Sequence, residues 1–150
     1  MAPRKTRTLR NQYYVRAPPK KVFKALTDPK RITRWFADTA EVSPRKGGRY
    51  TFSWHDGPTH VGKLIEFVRG KTVTFAWQWP GLDDTGVTRF KLEVEPKGKG
   101  TLVKVTHSRI PRGAKWFDLY AGAVWGWTYF MMNLKSVVET GHDLRSKHDG

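Results

Sequence analysis

The chain has 150 residues, 38% hydrophobic and 13% aromatic, with 28 Lys and Arg against 13 Asp and Glu for a net charge of +15, and it has no cysteine. That length suits one globular domain, and a chain of this size buries roughly 68–70% of its unfolded surface, enough for a core without a disulfide or structural metal. The lack of cysteine excludes disulfide frameworks, cysteine zinc sites, iron–sulfur clusters and thiol nucleophiles, and the longest apolar run, around Trp125 to Met132, falls well short of the ~20 residues of a spanning helix.

The first ten residues carry positive charge with no apolar stretch behind it, unlike a secretory signal, so a cytoplasmic protein is expected. Charge is uneven along the chain: up to Arg34 there are eleven Lys or Arg against one acid, Asp28. Such a stretch is either a solvated basic face with a tail or an electrostatic footprint for an acidic partner or nucleic acid. Neither a zinc-finger spacing nor an RNA-binding glycine–aromatic run accompanies it.

In chain order, residues 1–8 read as a flexible basic tail and Leu9 to Val15 as a first strand. Val22, Phe23, Ala25 and Leu26 then gather at helical spacing behind Pro19, which the first turn of a helix tolerates. Asp28 is placed as the N-cap of a second short helix with Pro29 at its first position and Ile32, Trp35 and Phe36 as its apolar face. From Ala40 to Pro111 the period becomes two: Tyr50, Phe52 and Trp54 share one face, and Val73, Phe75, Trp77 and Trp79 another. After the loop Pro80 to Gly86, Phe90, Leu92 and Val94 alternate with polar residues, and a hairpin at Lys97 to Gly100 leads to Val103, Val105 and His107. Beyond Gly113 a 3.6-residue pattern from Phe117 to Val138 predicts a long amphipathic helix that Gly141 ends. Residues 9–143 form the predicted domain and 144–150 a C-terminal tail.

This order predicts an α+β domain in which a curved antiparallel sheet grips the terminal helix. Its interior is rich in large flat rings, which either fill the core at ordinary density or leave a greasy cleft of the kind that takes small molecules. The lining candidates are Phe52, Trp54, Leu64, Phe75, Trp77, Phe90, His107, Tyr120, Val124, Trp127 and Met131.

Several segments resemble the activator of heat-shock chaperone ATPase homologue (AHSA-type) domains of the START-like, birch-allergen-like helix-grip (SRPBCC) superfamily. They are Ala17-Pro18-Pro19-Lys20-Lys21-Val22-Phe23-Lys24-Ala25-Leu26-Thr27-Asp28-Pro29 with Trp35-Phe36, Gly47-Gly48 before an aromatic strand, and Gly62 with Leu64 and Glu66. Phe75-x-Trp77, Gly100-Thr101 leading to Thr106-His107-Ser108, and Gly126-Trp127 with the segment from Met131 to Gly141 continue the likeness over nearly the whole chain. The resemblance implies the helix-grip fold and a pocket between long helix and sheet, with hydrophobic or amphipathic small molecules as ligands. With the inward aromatic surplus, a carrier, sensor or stress-related role is expected, and no cofactor is expected. The family's name-giving co-chaperone docks through a separate domain with no counterpart here, so chaperone ATPase activation is not expected. Cyclase or hydratase relatives depend on pocket acids and bases that do not match residue by residue.

Five histidines invite metal or acid–base readings, but there is no HExxH-type spacing and a metal site is not expected. His107 is the one on an inward face, as a general base or, more simply, as a satisfied buried imidazole. Glu66 depends on register: either Val61, Ile65 and Phe67 face inward beside Lys63, or Gly62, Leu64 and Val68 face inward beside Glu66. An enzymatic reading needs His107 and Glu66 in one cavity.

Overall fold

The computed structural model describes residues 5–78 and 87–145. Trp79, the predicted loop 80–86 with Asp83 and Asp84, and His148 lie outside the described residues. Seven strands make one antiparallel sheet: β1 (Thr6–Val15), β2 (Thr39–Val42), β3 (Arg49–Ser53), β4 (Thr59–Val68), β5 (Thr72–Trp77), β6 (Thr88–Lys97) and β7 (Gly100–Pro111). Their spatial order is β1-β7-β6-β5-β4-β3-β2. Consecutive strands β1 and β2 therefore sit on opposite edges, and helices α1 (Pro19–Thr27) and α2 (Pro29–Ile32) carry the chain between them. The long helix α3 (Phe117–Thr140) follows a single 3₁₀ turn at Ala114–Trp116, which completes the helix-grip architecture expected from the sequence.

Asp28 punctuates both short helices. Its backbone N–H bonds the Lys24 carbonyl at the end of α1, and its carboxylate accepts the Lys30 N–H at the start of α2, with Pro29 in the first turn. The second helix lasts only one turn, so Trp35 and Phe36 follow it rather than sit on it, yet both rings are buried. Trp35 donates its indole N–H to the Ala25 carbonyl at 2.8 Å and locks this corner to α1. The first strand begins at Thr6, paired with Pro111, ahead of Leu9 where the alternation first becomes readable.

Strand β4 obeys neither register that the sequence offers. Tyr50 pairs with Gly62 and Phe52 with His60, so His60, Gly62 and Leu64 face inward in its first half. Pairing with β5 then slips between Leu64 and Glu66, and Phe67 comes to lie opposite Val73 while Glu66 lies opposite Thr74. An extra residue in one strand reverses the alternation beyond it. Phe67 thus turns in to meet Phe23, with ring centroids 5.8 Å apart, and Glu66 turns out. Gly62 has a steric reason: a Cβ there would lie 2.8 Å from the Tyr50 ring, whose hydroxyl donates to the Ala76 carbonyl. A second slip, between Arg7 and Leu9 on β1, falls opposite Arg109 at φ 62°, so that His107 and Ile110 are both buried.

The C-terminal half of α3 closes the core. Met131 and Leu134 are fully buried, and Phe52, Phe75, Phe90 and Leu64 are each 1% exposed. Asn133, fully buried, donates to the Trp35 carbonyl and to Asp143 Oδ1, both at 2.9 Å, and accepts the Leu144 N–H at 2.6 Å. Gly141 ends the helix in the left-handed conformation at φ 80°, and the chain beyond it folds back. Arg145 reaches Asp143 Oδ2 at 2.9 Å and the Thr33 carbonyl at 2.8 Å, tying positions read as tail to the body of the domain. Among the described residues no helix is long and apolar enough to cross a membrane.

Candidate functional site

Between the N-terminal half of α3 and the β3–β4 hairpin lies a cleft of about 1090 Å³. Trp54, His60 and Trp77 form its sheet wall, Phe36 and Asp38 its end wall, and Ala123, Trp127 and Phe130 its helix wall. The rings brace one another: His60 stacks on Trp77 at 3.9 Å and 19°, and Trp54 meets His60 edge-on at 5.9 Å. Phe36 is the hub, stacked on Trp127 at 6.0 Å and edge-on to Trp54 at 5.1 Å and to Phe130 at 4.8 Å. Trp54 also donates its indole N–H to the Phe36 carbonyl at 2.8 Å, fixing the wall's orientation.

The space exists because the helix is narrow where it faces these rings. Gly122, Ala123 and Gly126 line the cleft, and a Cβ at either glycine would meet nothing within 4 Å. No close backbone approach requires glycine there, although glycine in a helix interior costs about 1 kcal/mol relative to alanine.

His107 sits at the back of the cleft, 2% exposed, in a directional relay. Trp127 donates its indole N–H to Nδ1 at 3.0 Å, and an indole only donates, so Nδ1 is the unprotonated nitrogen. Nε2 then carries the proton and donates to the Thr88 hydroxyl at 2.9 Å, which donates to the Trp77 carbonyl at 2.7 Å. Burial pushes the His107 pKa down to about 3, and the imidazole is neutral at physiological pH. With its lone pair already accepting, His107 positions Trp127 and is not poised as a base. Burial likewise lowers the pKa of His60, against an opposing backbone hydrogen bond at Gln78.

Of the lining candidates read from the sequence, Trp54, Trp77, His107 and Trp127 line the cleft. Phe52, Leu64, Phe75, Phe90 and Met131 are packed in the core behind it. Val124 packs on the core, and Tyr120 turns toward β1, where the Arg7 guanidinium lies 4.5 Å above its ring. Glu66 occupies the other face of the sheet, 3.7 Å from Lys91 Nζ and 3.4 Å from the Thr72 and Thr74 hydroxyls. His107 and Glu66 therefore share no cavity, because the slip in β4 aims the carboxylate away, and the enzymatic pair is overturned. No group of three potential metal-ligating side chains converges among the described residues.

Phe36, Asp38, His60, Phe130 and Arg145 line the cleft although none was among the lining candidates read from the sequence. His60 was within reach, since the inward Phe52 pairs directly with it across the hairpin. The glycine and alanine positions on α3 were a second signal. Elsewhere, Lys21, Arg31 and Arg34 line a smaller groove of about 310 Å³ between the short helices and the C-terminal end of α3.

Comparison with known proteins agrees with this architecture. A protein of Mesorhizobium loti, MLL2253, superposes with a TM-score of 0.80 at 22% identity, covering 91% of this chain and 99% of its own. The Aha1 dimer of Colwellia psychrerythraea gives 0.76 at 23% identity, covering 90% of this chain and 98% of its own. DynU16, a protein of the dynemicin biosynthetic locus, gives 0.78 at 21% identity, and the match spans 93% of this chain and 49% of that longer one. No curated protein is a significant match by sequence. The sequence profile of the Activator of Hsp90 ATPase homolog 1-like proteins matches residues 16–139, and the chain belongs to that family.

Proposed function

We propose that the protein is a carrier or sensor that encloses a small hydrophobic or amphipathic molecule between the N-terminal half of α3 and the aromatic sheet wall. The observation that carries this reading is the open space over Gly122 and Gly126, facing Trp54 and Trp77 across a cleft of about 1090 Å³. Ligand sites in proteins run to about 300–1,000 Å³ with largely hydrophobic and aromatic walls, and this cleft approaches them in size and in the rings of Phe36, Trp54, Trp77, Trp127 and Phe130. Family membership and the likeness to a protein of a biosynthetic locus are compatible with it. Gly126→Leu provides the test, because leucine is a better helix former than glycine and its side chain enters the open space. A chemically diverse library titrated against tryptophan emission should yield binders to the parent protein and none to the variant, which should melt no lower. Equal binding by both would overturn the assignment of the site, and a flat response from the parent would overturn the function.

A second reading, an interaction module or co-chaperone-like protein docking an acidic partner or nucleic acid, rests on the groove lined by Lys21, Arg31 and Arg34. It predicts retention on a polyanion column that falls steeply with salt. Elution independent of salt would end it.

A further inference from the structure

The walls of the cleft carry a charge pattern opposite to that of the molecule. In a chain with 28 Lys and Arg, no lysine and only one arginine line the space among the described residues, whereas Asp38, Asp56 and Asp118 do. The arginine, Arg145, is already committed to the Asp143 carboxylate at 2.9 Å and to the Thr33 and Ala37 carbonyls at 2.8 and 3.3 Å. Two of the three wall tryptophans have no indole donor left for an anion. The indole N–H of Trp54 is spent on the Phe36 carbonyl and that of Trp127 on His107. What the cleft presents is electron-rich rings and three carboxylates, Asp56 and Asp118 at exposed positions and Asp38 in the end wall, where it accepts the His55 N–H at 2.8 Å.

We infer that the cleft selects an organic cation, a molecule with an apolar or aromatic body bearing an ammonium group. This deepens the carrier reading and rests on it. A cation over the face of tryptophan is attracted by the ring quadrupole, and the effect strengthens when the ring is desolvated. The carboxylates lining the cleft add attraction that acts over about 8 Å at physiological ionic strength. An anion of the same shape would meet the three carboxylates and, among the described residues, no uncommitted lysine or arginine. A neutral molecule would gain only from burial.

Equilibrium dialysis with three probes of matched shape tests this: (2-naphthylmethyl)trimethylammonium, its neutral carbon analogue 2-neopentylnaphthalene, and 2-naphthylmethanesulfonate. The ammonium probe should bind about tenfold tighter than the neutral one, a ratio in the range of a desolvated cation–π contact, and the sulfonate should bind weakest. In the triple variant Asp38→Asn, Asp56→Asn, Asp118→Asn, confirmed as folded by circular dichroism, the ratio of ammonium to neutral affinity should shrink severalfold. Binding of the neutral probe or the sulfonate as tightly as the ammonium would overturn the cation preference and leave the carrier reading standing. An undiminished ratio in the triple variant would remove the carboxylates from the explanation and overturn the inference as stated. Failure of all three probes to bind the parent protein would count against the cleft itself and take this inference with it.

Discussion

The two halves of α3 cover spaces built from the same kind of residue on the sheet side and of opposite kinds on the helix side. Toward its C-terminus Met131, Leu134 and Val138 meet Phe52, Phe75, Phe90 and their neighbours in one buried cluster. Toward its N-terminus Gly122, Ala123 and Gly126 face Trp54, His60 and Trp77 across open space. Aromatic content alone therefore does not decide whether rings pack or line a cavity. The helix decides it, through the size of what it sets opposite them.

The sharpest way to break this contrast is to hollow out the packed half. Phe75 is 1% exposed, with Phe90 at 4.8 Å and Tyr50 edge-on at 5.1 Å, so Phe75→Ala should cost about 3–5 kcal/mol in chemical denaturation. A loss below about 1 kcal/mol would mean that this half has slack of its own, and the distinction would fail.

At the boundary between the halves stands His107, where a smaller and pH-dependent effect is expected. Its folded pKa, about 3, lies below the ordinary 6.5, so between these values the unfolded chain binds the proton and the folded one does not. Stability contributed by the neutral imidazole is thus fully present above the ordinary value and is lost as pH falls toward 3, at about 1.4 kcal/mol per pH unit. His107→Phe should flatten that part of the stability profile. At neutral pH it should also cost about 1–3 kcal/mol, because the buried Trp127 N–H loses its acceptor. An unchanged acid slope in the variant would show that the imidazole does not stay neutral as the relay requires.

Most of the fold was legible because it rests on periodicities. The alternation of Val73, Phe75 and Trp77, and the helical spacing from Trp127 to Val138, each name their own inward face. The site was legible only in part, since it depends on what lies across from what. Phe36 was read on a helix face but sits just past a one-turn helix, where it became the hub of the wall. Arg145 comes to the cleft through a fold-back held by Asn133, and no pattern near Arg145 announces that. The irregularity between Leu64 and Glu66 is the clearest failure: alternation assumes an unbroken strand, and one slip exchanged the faces halfway along β4.

Glu66 therefore supplies the mildest test, and the one most specific to the separation of the two faces. Its side chain is 47% exposed and its carboxylate lies 3.7 Å from the ammonium of Lys91, whose side chain is 37% exposed, and exposed pairs of this kind are worth about 0–1 kcal/mol. The threonine hydroxyls at 3.4 Å are at the long limit of hydrogen bonding and add little. Glu66→Gln keeps an acceptor in the same place and should lower the melting temperature by no more than a few degrees. Because a full layer of strand backbone separates it from the cleft, ligand binding should be unaltered. A tenfold change in the affinity of any cleft ligand in this variant would mean that Glu66 communicates with the concave side, and the register drawn for the second half of β4 would have to be abandoned.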